Sequence, residues 1–85
     1  MKMRKLIYLI HPRKVVVDRT AIALFNAQWP GSNLRTTRSY WFEFDRNRDL
    51  IDTDLPEHDD GSPAMALVED CRAWLFDLHQ PSWIP

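Results

Sequence analysis

The chain has only two glycines, a single cysteine and no apolar run longer than five residues. With Gly31 and Gly61 alone, no glycine-rich loop can cradle a phosphate. With Cys71 alone, no disulfide can form within the chain, which fits a reducing interior. Nothing approaches the roughly 20 apolar residues that a membrane-spanning helix needs. The opening "MKMRKLIYLI" sets Lys2, Arg4 and Lys5 before Leu6–Ile10, but that run is shorter than the apolar core of about 7–15 residues in a secretory signal. The expectation is a soluble cytoplasmic protein with no membrane contact and a basic first strand.

What is present is a single domain's worth of sequence. Eighty-five residues leave no room for a second core, and a chain of this size buries only about 60–65% of the surface its unfolded form exposes. Hydrophobic residues make up 45% and there are four tryptophans, so large aromatics must supply much of the burial. The net charge of −1 conceals a division. Residues 1–42 hold eight basic side chains against Asp18 alone, for +7; residues 43–85 hold three against eleven acids, for −8. The two halves are expected to lie together in one antiparallel sheet, where opposite charges on neighbouring strands stabilise the pairing.

The last third reads as a helix over about residues 63–80. Ser62 suits an N-cap and Pro63 the first helical position. Ala64, Leu67, Val68, Cys71, Trp74, Leu75 and Leu78 line one side, and Pro81 ends the helix by Gln80. In the middle, "SYWFEFD" alternates Tyr40, Phe42 and Phe44 against Trp41 and Glu43. "DLIDTD" returns after the turn "DRNRD", with Asn47 placed to take a positive φ. This hairpin is expected to put Leu50, Asp52 and Asp54 on one face and Ile51 and Thr53 on the other. The segment "TAIALFNAQWPGSN" is open on pattern: its Ala, Leu and Gln favour a helix, while alternation also allows a strand.

"FNAQWPGSNLR", "WFEFDRNRDLIDTD" and the "ALVED" helix together resemble small uncharacterised open reading frames of bacterial plasmids and integron cassettes. The likeness covers roughly residues 22 to 78 and brings no activity with it. It implies an accessory protein of a mobile element whose FNA-x-WP segment is a strand. On that basis "IALFNAQ" is expected to be a strand, with "RKLIYLI" or "KVVVD" adding another at the edge. The expected fold is α+β: an antiparallel β-sheet of three to four strands packed on one face by the C-terminal helix. Residues 1–85 form one small domain, with 1–19 an added edge strand and 81–85 a tail.

"FEFDRNRDLIDTDLPEHDDG" offers the chemistry. Asp45, Asn47 and Asp49 are spaced like the first ligands of an EF-hand loop, but its sixth and twelfth positions hold Leu50 and Pro56 where Gly and Glu are required, so a hairpin is the better reading. Asp52, Asp54 and His58, with Glu57, Asp59 and Asp60, could hold a divalent cation and so support a metal-binding protein or metal-dependent enzyme. The competing reading is a solvated acidic loop before a helix N-terminus. Cys71 sits in the helix's apolar stripe as an inert core residue. His11, His58 and His79 fall into no nucleophile–base spacing, so nothing argues for catalysis.

Nucleic-acid binding would use Lys2, Arg4, Lys5, Arg13, Lys14, Arg35 and Arg38 with Trp29 or Trp41 as a stacking platform. The eleven acids of residues 43–85 and a pI of about 6.2 oppose it. More telling is apolar surface beyond what one helix covers. Trp41 points away from Phe42, Met65 and Phe76 lie off the helix's core line, and Arg72 is placed to shield Phe76 through a cation–π contact. Trp83 follows the helix altogether. Trp29, Trp41, Phe76 and Trp83 are therefore the expected interaction residues of a non-enzymatic module that forms a homodimer or binds a protein partner.

Overall fold

The computed structural model describes residues 6–56 and 63–85. Strands β1 (Ile7–His11) and β2 (Lys14–Val17) form a hairpin, helix α1 (Arg19–Gln28) follows, then strands β3 (Tyr40–Phe44) and β4 (Leu50–Thr53), and helix α2 (Pro63–Asp77). The four strands make one antiparallel sheet in the order β1-β2-β3-β4. It is an α+β fold, with α2 packed on β3.

Alternation of side chains decides which face is covered. Val15 and Val17 of β2 lie opposite Phe42 and Tyr40 of β3, and all four are buried. Ile22 and Phe25 from α1 and Leu67, Val68 and Cys71 from α2 join them in one core. Both helices therefore pack on the same sheet face. Burying a side chain such as Phe42 or Leu67 in full contributes roughly 1.5–3 kcal/mol, and this chain has few such residues to draw on.

The segment "IALFNAQ" is helical, which overturns the strand expected from the resemblance. Asp18 supplies the reason: it is an extended N-cap whose Oδ1 accepts the Ala21 N–H at 2.9 Å. Its Oδ2 also accepts the Tyr8 hydroxyl at 3.1 Å, tying the start of α1 to β1. Helical spacing places Ala21, Ile22 and Phe25 inside, agreeing with the local composition rather than with the likeness. Residues 1–19, expected to add one edge strand, supply two, and the second is interior to the sheet.

Three further expectations shift. Arg48, not Asn47, carries the positive φ of the β3–β4 turn, at 69°; the Asp45 carboxylate organises that turn by accepting the N–H groups of Asn47 (2.8 Å) and Asp49 (3.0 Å). A bulge after Glu43 pairs Phe44 with Leu50 and Phe42 with Thr53. Leu50 and Thr53 thus share the core side, and the strict alternation expected along β4 is broken. Helix α2 begins at Pro63 as its sequence indicates, but it ends at Asp77. Leu78 takes φ 53° and is 87% exposed, so it leaves the apolar stripe to which its spacing assigned it. Ser62 lies outside the described residues.

Candidate interaction surface

The outward side of the sheet is built from residues alternating with the core. Tyr8 lies opposite Val16, and Val16 opposite Trp41, giving an apolar row across three strands, each member half-buried. Beside it runs a polar row, His11 opposite Lys14, Lys14 opposite Glu43 and Glu43 opposite Asp52. The Lys14 ammonium sits 4.0 Å from the centroid of the Trp41 ring, a cation–π contact that also leaves the lysine beside Glu43. None of these outward residues belongs to the core cluster that both helices share.

The four expected interaction aromatics separate into two kinds. Trp41 stands on the open face. Trp29 caps α1, is 41% exposed and lies 6.2 Å from Phe25. Phe76, expected to face solvent, is half-buried and meets Phe44 edge-on at 6.0 Å. Its cationic neighbour is Arg48 at 5.2 Å, while Arg72 sits over Phe44 at 5.5 Å. The wheel angle of Phe76 misled because the β3–β4 turn reaches up to the side of α2, where Arg48 also pairs with Asp77 at 2.8 Å. Trp83, expected to be free for a partner, folds back between the helices. Its ring meets Phe25 edge-on at 5.5 Å and its Nε1–H donates to Asp70 Oδ2 at 2.7 Å. Burial raises the Asp70 carboxyl above the usual Asp value, although the Trp83 hydrogen bond and the nearby His79 oppose it; Glu69 adds to the rise.

The acidic stretch is put to structural use as far as it is described. Asp54 Oδ1 accepts the Trp41 N–H at 2.9 Å and its Oδ2 accepts the Arg38 guanidinium. Asp54 thereby takes a ladder position beyond β4 and joins the basic half of the chain to the acidic half. Asp52 accepts the N–H of Thr53 at 2.9 Å. His58, with Glu57, Asp59 and Asp60, lies outside the described residues. Among the described residues no three His, Cys, Asp or Glu side chains converge as metal ligands. Cys71 is fully buried, and that burial pushes its thiol well above the ordinary range, which suits packing and opposes nucleophilic use.

Sequence reasoning missed Asn26. Its amide donates to the Leu34 carbonyl at 2.7 Å, and its Oδ1 accepts the Leu34 N–H at 3.2 Å and the Ser32 hydroxyl. The Arg35 N–H meanwhile donates to the Tyr40 hydroxyl at 3.2 Å. The "FNAQWPGSNLR" stretch is thus a clamped loop, and it walls a shallow cleft of about 330 Å³ lined by Asn33, Leu34, Arg35, Arg38, Tyr40 and Pro56. An Asn followed by a Pro-Gly-Ser-Asn turn is the signal that could have revealed it. No family model, curated protein or solved structure matches the chain. No helix among the described residues is long and apolar enough to cross a membrane.

Proposed function

We propose that the protein is a small non-enzymatic interaction module, an accessory protein of a bacterial mobile element, that self-associates through the open face of its sheet around Trp41. One observation carries this reading. Both helices and Trp83 are spent on one side of the sheet, while among the described residues no core element lies against the Tyr8–Val16–Trp41 row on the other. A two-fold arrangement suits a small domain with one unsatisfied face, and large aromatics dominate such contacts. The adjacent His11, Lys14, Glu43 and Asp52 carry both signs, so the same patch on a second copy can meet it in opposite-charge register.

The test is native mass by size exclusion with light scattering, followed by the dimer dissociation constant of Trp41→Ala. The expected result is a dimer that the substitution weakens by at least about 2 kcal/mol, or roughly 30-fold. An unchanged constant in a folded Trp41→Ala protein removes Trp41 from the interface, and a wild-type monomer at every concentration removes the reading itself.

A further inference from the structure

Six large hydrophobic side chains are exposed among the described residues, and three of them, Leu9 and Ile10 at 55% and Ile51 at 57%, lie on the two edge strands. Edge strands of soluble proteins normally carry charge or proline at such positions, because their unpaired backbone groups template the addition of another strand. At the β1 edge those groups can be identified. The Asp18 N–H donates to the Leu6 carbonyl at 2.9 Å, and Ile7 lies opposite Val17. Alternation of the antiparallel ladder then directs the N–H and C=O of Ile7 and Leu9 away from β2, toward the open edge.

The charge of the two edges differs in sign. The β1–β2 side carries His11, Arg13 and Lys14 with no acid between Ile7 and Val17, and Lys2, Arg4 and Lys5 precede β1 in sequence. Asp49 precedes β4, Asp52 lies within it and Asp54 follows it. Pairing β1 with β1 of a second copy, or β4 with β4, sets like charges opposite one another, which destabilises a strand pair. Pairing β1 with β4 does the reverse. It also continues the alternation of strand directions, because a fifth strand beside β4 must run as β1 does. In that register His11 and Arg13 approach Asp49.

We infer that the β1 edge of one copy accepts the β4 edge of another, a head-to-tail strand addition that extends the sheet from molecule to molecule. It is separate from the open-face contact proposed above, since it uses backbone groups and Leu9, Ile10 and Ile51 in place of Trp41. An interface of this kind is heterologous, so it does not close at two copies. Both edge pairings contain a register shift, one between Leu9 and His11 and one between Glu43 and Phe44. The pairable length is therefore short and the junction reversible.

Two single variants block one edge each: Leu9→Glu places an acid on the edge that must meet acids, and Ile51→Lys places a base on the edge that must meet bases. Both replaced side chains are exposed, so the fold is expected to survive, as circular dichroism would verify. The double variant, with both edges blocked, reports the open face alone. Light scattering of wild type should show mass that keeps rising with concentration beyond the double variant's mass, with the edge affinity falling about tenfold or more as salt screens the charges. Each single variant should fall to the double variant's mass. Mixing the two single variants should restore one additional 1:1 junction, because the intact β4 edge of Leu9→Glu meets the intact β1 edge of Ile51→Lys. The amides of Ile7 and Leu9 should gain hydrogen-exchange protection in wild type at high concentration. Wild-type mass equal to that of the double variant, or folded single variants that do not pair on mixing, would overturn the inference.

Discussion

Asp70 shows how one side chain can hold a structure together at a cost that depends on pH. Its carboxylate receives the Trp83 Nε1–H at 2.7 Å, yet burial raises its proton affinity above that of an ordinary aspartate. A folded-state value above the unfolded one means that the native chain holds more protons in the window between them. Stability therefore falls as pH rises through that window, which begins near the ordinary Asp value of 3.8 and extends upward. Asp70→Asn keeps an oxygen for the indole and removes the charge. The expected outcome is a variant at least as stable as wild type at about pH 7, with the difference vanishing below the ordinary Asp range. Urea midpoints of both proteins across acid to neutral pH check this, and a variant that is weaker at neutral pH would show that the ionised carboxylate is what the indole needs.

At the scale of elements, what was legible followed from local period and what was hidden followed from contacts distant in sequence. The β3–β4 hairpin was readable because Tyr40, Phe42 and Phe44 alternate with strong β-formers, and all three are buried. Helix α2 was readable from Pro63 and the spacing of Ala64, Leu67, Val68 and Cys71. Helix α1 was legible in composition and lost to a likeness; Asp18, two residues before Thr20, was the overlooked N-cap. The open sheet face was foreseeable from Trp41 against Phe42, but the internal placement of Phe76 and Trp83 was not, because the turn at Arg48 and the segment after Pro81 are brought to α2 only by folding. Asn26 belongs with these. It replaces backbone pairing for the loop that joins α1 to β3, making three hydrogen bonds to Ser32 and Leu34. Asn26→Ala removes all three and should cost roughly 2–3 kcal/mol at about 1 kcal/mol each. Asn26→Asp, which keeps the acceptor and loses the donor, should fall between. Chemical denaturation with hydrogen exchange at the Leu34 amide measures both, and an Ala variant within about 0.5 kcal/mol of wild type would show that the loop is held by Leu34 burial alone.

For the molecule as a whole, a short chain with a single core depends on every aromatic that reaches it, and Trp83 reaches it from outside the regular elements. Its ring lies edge-on to Phe25 of α1 while its N–H bonds to Asp70 of α2, so one residue ties the two helices together on top of the sheet. Pro81 is buried beside it in sequence, and the Ile84 N–H returns to the Pro81 carbonyl at 3.1 Å. The segment is a folded turn docked on the helices. Truncating a fully buried tryptophan costs about 3–5 kcal/mol; for a half-buried one, about 2 kcal/mol is expected, which in a domain of this size lowers Tm by roughly 8–16 °C. Trp83→Phe separates the two contributions, since it keeps a ring against Phe25 and leaves the Asp70 carboxylate without its donor. It should recover part of the loss, and its deficit should shrink when Asp70→Asn is added, because the half-buried charge left without a partner is then gone. If Trp83→Ala instead melts with wild type, the helices are held by Phe25, Leu67 and Val68 alone, and Trp83 is released to join Trp41 and Trp29 as surface open to a partner.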